Sequence, residues 1–84
     1  MKNTELVLQK IIEMVADVAE CQIEEVTPDS SLPNELGIDS LMGLEILVRV
    51  EREFGIKLEE EQVLQMDTPN NIVNLIIQQE VILA

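Results

Sequence analysis

The stretch Asp39-Ser40-Leu41-Met42-Gly43-Leu44-Glu45-Ile46-Leu47-Val48-Arg49-Val50-Glu51-Arg52-Glu53-Phe54-Gly55 is the part of this sequence from which the fold can be read. Asp39 has the short acceptor side chain of a helix N-cap, and Gly55 has the backbone freedom that ends a helix, so one helix is expected from Ser40 to Phe54. On a helical wheel, Ile46, Leu47, Val50 and Phe54 fall within about 100° with Gly43 between them, which marks the face toward a core. Leu41, Leu44 and Val48 form a second apolar arc, flanked by Glu51 on one side and by Glu45 and Arg52 on the other. Two readings fit this arc. It is either a charge-rimmed strip for docking a partner, or a second buried face of a helix lodged between neighbours.

Upstream, Val7, Leu8, Ile11, Ile12, Val15, Val18 and Ala19 share an arc opposite Glu5, Gln9, Lys10, Glu13 and Asp17, which predicts an amphipathic helix from Thr4 to Ala19. Residues 20 to 38 lose this period. They carry turn chemistry at Thr27-Pro28-Asp29-Ser30-Ser31, at Pro33-Asn34 and at Gly37, with Ile23, Val26, Leu32 and Leu36 as apolar anchors and room for a helical turn at Glu24 to Val26. Downstream, Glu59-Glu60-Glu61 suits the start of a short helix ending near Leu64. Thr68-Pro69 reads as N-cap and first residue of a last helix bearing Ile72, Val73, Leu75 and Ile76. The class is therefore all-α, with three longer helices, one short one and a long loop between the first two.

The 84 residues fit one domain, 1–84, which buries roughly 60% of its unfolded surface and has little room for a deep catalytic cavity. There are 17 acidic residues and 5 basic ones, and no Lys or Arg occurs from Ile11 to Val48. Phosphate repulsion excludes nucleic acid as a partner, whereas basic protein surfaces would be attracted. The acids also serve plain solubility. Cys21 is the sole cysteine, which rules out an internal disulfide and suits a small packing residue. No signal sequence or apolar run of transmembrane length is visible, so a cytoplasmic, monomeric protein without a transmembrane segment is expected.

Ser40 stands at the first position of its helix, where unsatisfied backbone N–H groups would favour an attached phosphate by about 0.3–1 kcal/mol against repulsion from Asp39. Taken alone, the Asp-Ser pair is commonplace helix capping and does not demand modification. A catalytic nucleophile is not indicated, because the chain has no histidine and no lysine near Ser40 in sequence to act as base. With one Cys and no His a zinc site lacks ligands, and Asp29-Ser30-Ser31 lacks the spacing and glycine of a calcium loop.

The run Leu36-Gly37-Ile38-Asp39-Ser40-Leu41-Met42-Gly43-Leu44-Glu45-Ile46 resembles the phosphopantetheine attachment motif of acyl carrier proteins, and the likeness extends from Ile23 to Ile76. The resemblance implies a four-helix bundle and a carrier that performs no catalysis. A phosphopantetheinyl transferase would place 4'-phosphopantetheine from coenzyme A on Ser40, with Asp39 and Leu41 flanking it in the motif. The thiol of that group would then hold acyl cargo as a thioester for ketosynthases, acyltransferases, acyl ligases and other enzymes with basic patches. The resemblance also makes the Ser40 helix the recognition element, with Glu45 and Glu51 as acidic contacts beside Leu44 and Val48 of the docking reading, and implies an acyl pocket at Val50, Leu58, Val63 and Met66, residues that fit an ordinary core equally well. Met42-Gly43 after Asp-Ser-Leu looks more like carriers of polyketide assembly lines than of bulk fatty-acid synthesis. An aminoacyl or peptidyl carrier, and an unmodified acidic interaction module, share the compositional features.

Overall fold

Helix α1 (Thr4–Ala19) forms where the 3.6-residue period was strongest, and buries Val7, Ile11, Val15, Ala16 and Val18. The structure, a computed structural model, describes residues 4–83, with the side chains of residues 60, 63, 64 and 80–83 excepted. α1 has no glycine at its end. Glu20 itself takes the left-handed conformation, φ 57°, while the Cys21 N–H closes the helix on the Ala16 carbonyl at 3.0 Å. An L-residue pays roughly 1–2 kcal/mol for that conformation.

The connection to the next long helix is more structured than its turn residues suggest. A 3-10 turn covers Ile23–Glu25, and a single α-turn, α2, covers Leu32–Glu35. Pro33-Asn34, expected in a loop turn, lies inside α2. Ser31 Oγ accepts from the Asn34 N–H at 3.3 Å and the Ser31 N–H donates to Glu35 Oε1 at 2.8 Å, a capping arrangement that proline at the second helical position tolerates. Val26, Leu32 and Ile38 pin this connection to the core. Ile23, expected as a further anchor, is instead 50% exposed, because the 3-10 turn carries it on its outer side. Ser30, the one buried polar residue among the described residues, accepts at Oγ from the Thr27 N–H at 2.9 Å and shares a hydrogen bond with the Thr27 hydroxyl.

Helix α3 (Ser40–Phe54) has the predicted bounds, with Asp39 as N-cap and Gly55 at φ 64°, its N–H bonded to the Glu51 carbonyl. Residues Glu60–Gln65, the short helical segment expected after Glu59, coil as a 3-10 helix. Glu59 and Gln62 enforce the tighter spacing by exchanging bonds three residues apart: Gln62 N–H to Glu59 O at 2.9 Å, Glu59 N–H to Gln62 Oε1 at 2.8 Å. Helix α4 (Pro69–Leu83) starts where Thr68 Oγ1 accepts from the Asn71 N–H at 3.2 Å.

The three long helices share one core. α1 packs on both α3 and α4, and the 3-10 segment closes against α3. Ile11, Ile46, Ile72 and Ile76 are fully buried at its centre. The radius of gyration, 11.7 Å, matches the value of about 12 Å for a close-packed chain of this length. Backbone bonds lace the long connection to the α4 end: Leu32 N–H to Asp67 O at 2.8 Å and Asn70 N–H to Pro28 O at 3.1 Å. Asn70 Nδ2 adds a bond to Asp29 Oδ1 at 3.0 Å. This lacing holds the segment leading into Ser40 against the bundle.

Candidate functional site

Asp39 takes an extended backbone, φ −90° and ψ −176°, which aims its side chain over the first turn of α3. Its Oδ1 accepts from the Met42 N–H at 2.9 Å, and its carbonyl accepts from the Gly43 N–H at 2.8 Å. The carboxylate is thus committed to the helix backbone. Ser40, next in the chain, is exposed at the positive end of a 15-residue helix. A cleft of about 140 Å³ opens beside it, walled by Leu32, Ile38, Gly43, Ile46, Met66 and Asp67. Its wall comes from three separate parts of the chain that the Leu32–Asp67 bond brings together. The sequence marked Leu32 as a loop anchor but gave no sign that it would face Ser40.

Of the residues expected to line an acyl pocket, Met66 is buried and lines this cleft. Val50 and Leu58 are buried in the core and are not part of the cleft wall. The Val63 side chain lies outside the described residues.

On α3 the second apolar arc is exposed, which excludes its reading as a second buried face. Leu41 is 76% exposed, Val48 43% and Leu44 36%. The expected core face is buried at Gly43, Ile46, Leu47 and Val50, with Phe54 half-buried at its edge. No neighbour covers the second arc among the described residues.

The charges around this strip are partly engaged. Glu45 Oε2 pairs with Arg49 at 3.0 Å, and Arg49 reaches across to Asp17 on α1, so Arg49 belongs to the α1–α3 seam and not to the strip. Lys10 and Glu53 pair at 2.9 Å along the same seam. The hydrogen bond to Asp17 raises the Arg49 pKa, and the one to Glu53 raises that of Lys10. Glu51 is half-buried, and its Oε2 accepts from the Leu58 N–H at 2.8 Å, a tie between α3 and the following segment that sequence reasoning did not anticipate. Cys21 is half-buried, away from Ser40 in sequence, with its thiol pKa raised mainly by desolvation.

The phosphopantetheine attachment site family matches residues 9–76, a span that takes in α3, the cleft and most of the core. The chain belongs to the acyl carrier protein family. An acyl carrier protein of Rickettsia bellii (strain RML369-C) is 34% identical over 76 residues, covering 90% of this carrier and 88% of that protein. "Polyketide-8 synthase acyl carrier protein 2" of Streptomyces avermitilis is 43% identical over 60 residues, covering 71% of this carrier and 69% of the relative. Among solved structures, an HMG-ACPI domain of the CurA module from Lyngbya majuscula superposes with a TM-score of 0.81 at 20% identity, over 90% of this carrier and 76% of that chain, a likeness of fold. This carrier therefore has an acyl carrier fold with a phosphopantetheine attachment domain, in a family of carriers that work with acyl-processing enzymes. Among the described residues, no helix is long and apolar enough to cross a membrane.

Proposed function

We propose that Ser40 is the covalent attachment point of 4'-phosphopantetheine, and that a phosphopantetheinyl transferase modifies it in the cytoplasm. The observation that carries this reading is the placement of Ser40: an exposed hydroxyl on the first turn of α3, with the neighbouring Asp39 carboxylate turned to the Met42 N–H. The residues present fit the group, since the positive end of α3 receives a phosphodiester and an open cleft adjoins it. When bound, the group supplies a thiol that holds acyl cargo as a thioester.

The rest of the work falls to the chain's own surface. Leu41, Leu44 and Val48 offer apolar contact, and Glu45 and Glu51 set an acidic rim against basic patches on ketosynthases, acyltransferases or acyl ligases. Shelter for cargo would begin at Met66 in the cleft and reach Val50 and Leu58 only by parting the core. The polyketide-synthase relative and the Met42-Gly43 signature place a polyketide or specialised acyl pathway at least level with bulk fatty-acid synthesis.

Incubation with coenzyme A and a broad-specificity phosphopantetheinyl transferase, followed by intact-mass measurement, tests the assignment. The wild-type chain gains one phosphopantetheine and Ser40→Ala gains none. Addition that persists in Ser40→Ala would move the site elsewhere, and no addition to the wild-type chain would leave an unmodified interaction module.

A further inference from the structure

We infer that a second, amide-lined groove between the 3-10 segment and α4 is a resting site for the pantetheine portion of the arm, an inference that rests on the assignment of Ser40 above. The groove has a volume of about 390 Å³ and is formed by Gln65, Asp67, Asn71, Asn74, Leu75 and Gln78. Asp67 also walls the cleft beside Ser40, so the two depressions meet at that residue. An arm leaving Ser40 through the cleft would reach the groove past Asp67, the residue that lines both.

The chemistry of the groove sets it apart from the rest of the molecule. In a chain of net charge −12, no residue from Pro69 to Gln79 is charged, and the polar side chains in that interval are all amides: Asn70, Asn71, Asn74, Gln78 and Gln79. Asn71, Asn74 and Gln78 follow one another at three and four residues, which places them in a single stripe about 10 Å long. Carboxylates only accept hydrogen bonds, whereas side-chain amides both donate and accept. A pantetheine segment presents two amide bonds and a hydroxyl, which need both kinds of partner. It also presents a geminal dimethyl group, for which buried Leu75 forms an apolar floor. Apart from Asp67 at the mouth, the groove lining carries no charge to repel the phosphate end.

The test uses the full chain, labelled with 15N and 13C, as apo and as holo protein whose loading on Ser40 is first verified by intact mass. Loading is expected to shift the side-chain amide signals of Asn74 and Gln78 and to give cross-peaks between the arm methyls and Leu75. The near-isosteric pair Asn74→Asp and Gln78→Glu, both at exposed positions, should abolish those cross-peaks with loading and helical circular dichroism unchanged; Gln65→Ala provides a second variant on the opposite wall. Holo protein whose arm shows no contact with Leu75, or contacts only Ile46 and Met66, overturns the inference and leaves the Ser40 assignment intact. Persistence of the Leu75 contacts in the double variant also overturns it. A concentration-dependent shift of Asn74 and Gln78 in apo protein would assign the groove to a second copy of the chain instead. An unmodified Ser40, visible in the mass, removes both proposals together.

Discussion

The carboxylates of Asp39 and Glu51 each hold a backbone N–H, Met42 in one case and Leu58 in the other, at 2.9 and 2.8 Å. Both were read from sequence in connection with the modified serine or its partners, and both also hold the chain in place. For Glu51 this has a measurable consequence. Glu51→Ala should lower stability by about 1–2 kcal/mol, because a partly buried N–H loses a charged acceptor, while Glu51→Gln should recover much of it. Chemical denaturation of the two variants checks this, and equal losses would contradict the recovery expected of the glutamine. Glu20 is the opposite case, a residue whose side chain the fold merely tolerates at φ 57°. Glu20→Gly should raise stability by up to about 1 kcal/mol, visible as a higher melting temperature.

At the scale of elements, α3 divides its circumference between core and solvent. Its burial of Gly43, Ile46, Leu47 and Val50 follows from the pattern of apolar residues, but the same pattern left Leu41, Leu44 and Val48 open to either side. Only the packing of α1 and the 3-10 segment on one side of α3 decides the matter. Val48→Glu should therefore leave the denaturation midpoint nearly unchanged, within about 0.5 kcal/mol, and reduce turnover by a partner ketosynthase or acyltransferase. Unfolding of that variant would show the residue to be structural. The elements that sequence reading rendered less well were the short ones. Ser31 and Glu35 make a helical turn of what looked like a proline turn, and Glu59 and Gln62 tighten a short helix into 3-10 geometry. Turn residues announce a change of direction, and the particular side-chain bonds determine its shape.

Across the whole molecule, 17 carboxylates against 5 cations repel one another, and two of those cations, Lys10 and Arg49, are drawn into the α1–α3 seam. Added salt should raise the melting temperature by screening this repulsion, and a flat salt series would contradict it. The alkaline limit follows from Lys10 and Cys21. Both have folded-state pKa values raised above the ordinary 10.5 and 9.0, Lys10 by its hydrogen bond to Glu53 and Cys21 by desolvation. The folded state then holds protons that the unfolded state releases, so stability is complete below the ordinary values and declines as pH rises through them. The loss should be small, since the Lys10 pair is exposed and screened. Melting curves from pH 8 upward check it, with Cys21→Ala expected to flatten the earlier part of the decline.

By itself, the sequence determined the bounds of the long helices. Asp39, Gly55 and Thr68-Pro69 bound their helices through local backbone bonding, which neighbouring residues control, and a chain without histidine cannot present the usual base to Ser40. The motif around Ser40 was legible for the same reason, being contiguous. What only the tertiary structure decided was everything made by residues distant in the chain: which arc of α3 meets solvent, that Leu32 and Met66 wall the cleft beside Ser40, that Glu51 holds Leu58, and that Asp67 lines both this cleft and the groove along α4. Helical periodicity fixes which residues share a face. The packing of the other helices fixes what that face meets.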